Sequence, residues 1–215
     1  MKDITDFDAP TKPAWVGAIV PVALVLGAAG LFWWTTNGGN SSDDENNSSP
    51  LSGGKLIAGQ TYYLFASEIE LYPTDPEGKA WDGGESGPDI RYRMLWKGNV
   101  VFNSDKKENS LIADWSGLGL KFDLSDLLGK KISPDDAIEA ARVRAEKGGK
   151  VIIEVEDVDF TDDDEAGSLP IFFDDLKVGK KEFTFSKSPK NAVRRIVMRA
   201  LPVKSSARDL VDLMK

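Results

Sequence analysis

The chain has 215 residues, 41% of them hydrophobic, and a formal net charge of −8 from 27 basic and 35 acidic side chains. That balance suits one globular domain with extensions, and its acidity argues against a nucleic-acid partner held by phosphate contacts. With neither Cys nor His, disulfides, thiolate or imidazole metal ligands and Ser-His or Cys-His catalysis are excluded, so any metal must be bound by oxygen.

The first element in chain order is apolar. Residues 14–34, AWVGAIVPVALVLGAAGLFWW, are free of charge and long enough for a helix crossing a hydrocarbon layer of about 30 Å. Trp15 at one end and Trp33 and Trp34 at the other match the aromatic belts of a membrane helix. The rival reading is a cleaved signal peptide with Gly27-Ala28-Ala29 as processing site, but its leader carries three Asp and its end is aromatic. Lys2 and Lys12 precede the span and no Lys or Arg follows until Lys55. Residues 1–13 are therefore expected as a cytoplasmic tail, 14–34 as a single-pass membrane-inserted transmembrane helix, and the remainder as extracytoplasmic. Residues 35–55 are rich in Ser, Asn and Gly, as in a disordered tether spanning roughly 25 Å.

From Thr61 the pattern turns to β. TYYLFASEIEL, IRYRMLWKG, VVFNS, LIADW, LGLKFDL, KVIIEVE, KEFTFS and AVRRIVMRAL are strand candidates separated by turn signals, the count of a β-sandwich. In IRYRMLWKG, Tyr92, Met94 and Trp96 form the core side, and Arg91, Arg93 and Lys97 form a basic outer side. Ser133 as N-cap, Pro134, Asp136 and a stop at Gly148 predict one helix over 134–147. The sandwich is expected over 56–204, and the tail 205–215 has the makings of a short amphipathic helix.

Two acidic loops follow strands. EGKAWDGGESGPDI offers Asp82 and Asp89, and EVEDVDFTDDDEAG offers Asp157, Asp159 and Asp164, with Glu165 just beyond. If both loops emerge at one end, five carboxylates converge, and short Asp side chains on turns can supply the oxygens that a hard cation such as Ca²⁺ takes. The bland alternative is a pair of solvated acidic loops.

The order of strand, Asp-bearing Gly-rich loop and strand, then V-x-x-D-x-D followed by DDDEAG, resembles the C2 domain, a calcium- and phospholipid-binding sandwich. The resemblance implies an all-β, eight-stranded antiparallel sandwich of the circularly permuted topology, here with one inserted helix. It also implies Ca²⁺ as cofactor, with Asp82, Asp89, Asp157 and Asp159 as metal ligands and either Asp164 or Glu165 in the last place. Phe160, at the tip of the second loop, would be an apolar contact to lipid or protein. Two non-catalytic readings result. One is a calcium-loaded module docking on a lipid or protein surface. The other is a calcium-independent scaffold recruiting a protein partner, with Arg91, Arg93 and Lys97 as its basic face. A glycosidase would need a raised-pKa acid in a cleft beside sugar-stacking aromatics, and Trp81, adjacent to the first loop, is explained equally well as a strand-end core residue.

Overall fold

The computed structural model describes residues 53–81, 86–159 and 163–215. The expected tail and membrane helix, and nearly all of the expected tether, lie outside these residues. Among the described residues no helix is long and apolar enough to cross a membrane.

Among the described residues nine strands form two antiparallel sheets. One sheet runs β4 (Ile112–Asp114), β1 (Thr61–Leu71), β9 (Val193–Pro202), β8 (Gly179–Thr184), with β5 (Ala141–Arg144) also paired to β1. The other runs β3 (Asn99–Asn103), β2 (Ile90–Trp96), β6 (Lys150–Asp157), β7 (Asp164–Phe172). Alternation along β2 and β6 builds the middle of the second sheet. Tyr92 faces Val155, and Met94 faces Ile153, on the buried side. Arg91 and Arg93 face Glu156 and Glu154 on the outer side. The expected all-β antiparallel sandwich is present.

Three expectations are corrected. The described residues form nine strands, not eight: β5 and β7 arise from segments not predicted as strands, and one expected strand, LGLKFDL, does not form. The predicted helix over 134–147 is a single turn, α2 (Pro134–Ala137), after which the chain extends into β5. Its capping signals are used, since the Ser133 hydroxyl accepts from the Asp136 N–H. But Ala141, Val143 and Ala145 alternate, and pairing Val143 against Tyr62 of β1 buries them as a strand; tertiary pairing outweighs propensity here. LGLKFDL, expected as a strand, instead leads into helix α1 (Leu124–Leu128), started by a capping box between Asp123 and Asp126.

The C-terminal segment forms helix α3 (Ala207–Met214), with Leu210, Val211 and Leu213 buried. Leu127, Ala137 and Val211 make a small satellite core that joins the three helices. The main core lies between the sheets. A link across it comes from Tyr92 of β2, whose hydroxyl accepts from the Ala66 N–H of β1 at 3.1 Å and donates to the Ala66 carbonyl at 3.3 Å. Ala66 lies between the residues of β1 that pair with β5 (through Leu64) and with β4 (from Glu68), beside an irregularity in the β9 register.

Candidate functional site

Both acidic loops reach the same end of the sandwich. β2 starts at Ile90 where β6 ends, with Ile90 opposite Asp157 and Asp157 opposite Asp164 of β7. The end of β1 joins them there. Tyr72 N–H donates to the Ala192 carbonyl, and Ala192 N–H donates to the Ala166 carbonyl.

Asp157 occupies an inward position in the alternation of β6 and is only 1% exposed. A carboxylate taken from water that far needs donors. One is the backbone N–H of Asp89, 2.6 Å from Asp157 Oδ1. The Asp89 carbonyl in turn accepts from Val158 N–H at 2.9 Å.

The Asp89 side chain is held by a turn that the sequence did not single out, residues 105–110. Lys106 Nζ donates to Asp89 Oδ2 at 2.6 Å, and Asn109 N–H donates to Oδ1 at 2.8 Å. Asn109 reaches this position with φ of 54°, a left-handed conformation that Asn tolerates, and its own Oδ1 accepts from Gly87 N–H at 2.6 Å. The Lys106 ammonium holds the Asp89 carboxyl below its usual range, with the Asn109 N–H contributing and partial burial opposing. Asp89 in return raises the Lys106 ammonium above its ordinary value.

Of the expected metal ligands, Asp82 lies outside the described residues. Asp89 and Asp157 are brought together, and Asp164 stands across from Asp157 in the ladder. Asp159 follows the strand end, and Glu165 pairs opposite Glu156 on the β6–β7 ladder. Ca²⁺ takes six to eight oxygens, yet both Asp89 oxygens already accept hydrogen bonds and one is paired with an ammonium. Among the described residues, no group of three or more acidic side chains is placed to hold a metal ion, and no buried side-chain polar atom lacks a partner. As arranged among the described residues, the Asp89 carboxylate is committed to Lys106 and Asn109 rather than open to a cation.

Phe160 lies outside the described residues. The basic outer face is present but balanced. Arg91 pairs with Glu156 at 3.1 Å and Asp163 at 2.8 Å, Arg93 with Glu154 at 3.0 Å, and Lys97 with Glu146 at 2.6 Å. Lys97 also stands over the Trp96 ring at 4.9 Å. Trp81 is buried, its Nε1–H donating to the Tyr72 carbonyl at 2.8 Å.

The fold and this loop end define a two-sheet antiparallel sandwich with acidic loops gathered at one end. No family model matches the chain, and no curated protein matches it. Solved structures do. A structure described as a C2 domain is 12% identical, with a TM-score of 0.40, over 66% of this chain and 98% of that one. The tandem C2 domains of extended synaptotagmin 2 are 16% identical over 78% of this chain, with a TM-score of 0.44, and their calcium-bound form is 17% identical over 68%, with a TM-score of 0.41. The chain spans about half the length of those synaptotagmin structures, 48% and 47%. All three likenesses are distant, and none assigns a function.

Proposed function

We propose that the chain is a C2-like, non-catalytic binding module, tethered to a membrane by residues 14–34 with the sandwich on the extracytoplasmic side. In this reading it works without calcium and recruits a protein partner. The observation that carries it is the Lys106–Asp89 pair: an ammonium group on a stem of the protein itself neutralises the carboxylate that a bound cation would need. The charge-patterned outer face of Arg91, Arg93 and Lys97 with Glu154 and Glu156 is the recruiting surface, and its matched charges favour a partner of mixed charge over an anionic sheet of lipid.

A second reading keeps calcium. Asp157 and Asp164 stand opposite one another across the ladder, and like charges so placed repel. In this reading, a cation entering with Asp82 and Asp159 displaces Lys106 and relieves the repulsion, and the loaded end docks on phospholipid.

Calorimetric titration of the full chain in neutral detergent with Ca²⁺ separates the two. No saturable heat up to about 1 mM, the weak end of extracellular calcium sites, is the expected result. Saturable heat that disappears when Asp157 and Asp159 are both changed to Asn would overturn the first reading in favour of the second. Retention of the chain in alkali-washed membranes, lost when residues 1–34 are removed, tests the tether. Protease protection in sealed vesicles tests the side on which the sandwich lies.

A further inference from the structure

The opposite end of the sandwich, where β1 begins and β9 ends, holds a concavity of about 420 Å³ whose lining includes Gly59, Thr61, Arg142, Arg144, Pro202 and Lys204. Its charged lining residues are all cations, in a chain whose net charge is −8. Arg142 and Arg144 are two apart on β5 and so share a face. Arg144 Nε donates to the Gly59 carbonyl at 2.9 Å, which fixes the plane of the guanidinium while both its Nη groups make no hydrogen bond among the described residues. The Gly59 turn that supplies this carbonyl has φ of 87° and is closed by Gly59 N–H on the Ala145 carbonyl at 2.8 Å. Lys204 is exposed and has no hydrogen bond or ion pair among the described residues. Arg142 alone has an acidic neighbour, Asp135 at 3.3 Å, and it also lies 5.9 Å from the Tyr63 ring centre.

We propose that this cavity is an anion site for a phosphate group carried on a larger molecule. Subtracting Asp135 from the three cations leaves two positive charges, the complement of a phosphate dianion. A guanidinium already oriented by its Nε bond presents its Nη donors as a fork suited to two phosphate oxygens. The volume falls within the range of ligand pockets, about 300–1,000 Å³, and exceeds what one phosphate fills. The acidic remainder of the protein repels anions, so attraction is confined to this cavity and weakens as salt screens it. The site is independent of the calcium question at the other end.

The test is calorimetric titration of the full chain in neutral detergent with inorganic pyrophosphate at low salt. Saturable binding of one equivalent is expected, at least tenfold weaker with Lys204→Ala and lost with Arg144→Gln and Lys204→Ala together. Lys204→Ala removes no bond of the described fold, so its melting temperature stays unchanged and its effect reads the site alone. Micelles doped with phosphatidic acid distinguish the source: competition with pyrophosphate assigns a lipid headgroup, and its absence a soluble phosphorylated molecule. The proposal is overturned if pyrophosphate gives no saturable heat up to about 10 mM, an affinity too weak to reach 3 kcal/mol, or if both variants bind as the parent does.

Discussion

The backbone N–H of Asp89 and the carboxylate of Asp157 meet at 2.6 Å, a main-chain donor from one acidic loop closing on a buried side chain from the other. The two loops are thereby joined without any added ion. Asp157→Ala removes the acceptor and strands the donor, so it should lower stability by about 1–3 kcal/mol. Asp157→Asn retains an acceptor and should cost less. Urea unfolding of the two variants beside the parent checks the order.

The Lys106–Asp89 pair sets a pH window. Asp89 has its folded pKa depressed below the ordinary 3.8, so its contribution is present above that value and is lost as pH falls through the lower, folded one. Lys106 has its folded pKa raised above 10.5, so its contribution is present below that value and is lost as pH rises through the higher, folded one. The pair is therefore intact across the whole neutral range. In Lys106→Met, the Asp89 carboxyl should titrate closer to its ordinary value, read by carbon NMR of the side-chain carboxyl. The stability gap between parent and variant should close in strong acid.

Tyr92 joins the two sheets through one hydroxyl. Burial pushes that hydroxyl's pKa well above its usual value, so at neutral pH it carries the proton it donates to the Ala66 carbonyl. Tyr92→Phe keeps the ring packed edge-on to Trp115, 4.9 Å between centres, but leaves the Ala66 N–H without its acceptor. The expected loss is about 1–3 kcal/mol, seen as a lower urea midpoint with unchanged slope.

Gly117 has φ of 74°, and a Cβ placed there would come within 2.3 Å of the Phe65 ring edge. Gly117→Ala combines an unfavourable left-handed backbone with overpacking, and should cost about 2–4 kcal/mol. Gly148, also at positive φ but with open space around it, should tolerate Ala with only the backbone part of that loss. Thermal unfolding of the two variants separates the causes.

The strands legible in the sequence were those with clean alternation, β2 and β6, and those with long apolar runs, β1 and β9. β1, β2, β6 and β9 each carry enough apolar residues to fix both their type and their inward face, and Asp157 falls inward by the same count. β7 was hidden by Gly167 and Pro170, which read as turn residues; Pro170 is tolerated because β7 lies at the edge of its sheet. The 134–147 segment satisfies both a helical and an alternating spacing after Ala137, and only its pairing with β1 decides between them. Convergence of the two acidic loops was a condition set by sequence and is met by Asp89 and Asp157. Lys106 and Asn109 were not legible, because their turn has no periodicity and acts on Asp89 only through folding. The pairing of Arg91 and Arg93 with Glu156 and Glu154 likewise needs the β2–β6 register, which the sequence does not state.

The outermost strands of both sheets share one further property. β3, β4 and β5 are only five, three and four residues long, β7 opens with Asp164 and Glu165 and contains Pro170, and β8 carries Lys180 and Lys181 beside Glu182. Short length, charge and a missing N–H each discourage a foreign strand from adding to an open margin. Two copies crowded side by side would therefore find no ready way to continue each other's ladders, and the sandwich resists aggregation through its rims as well as through its net charge.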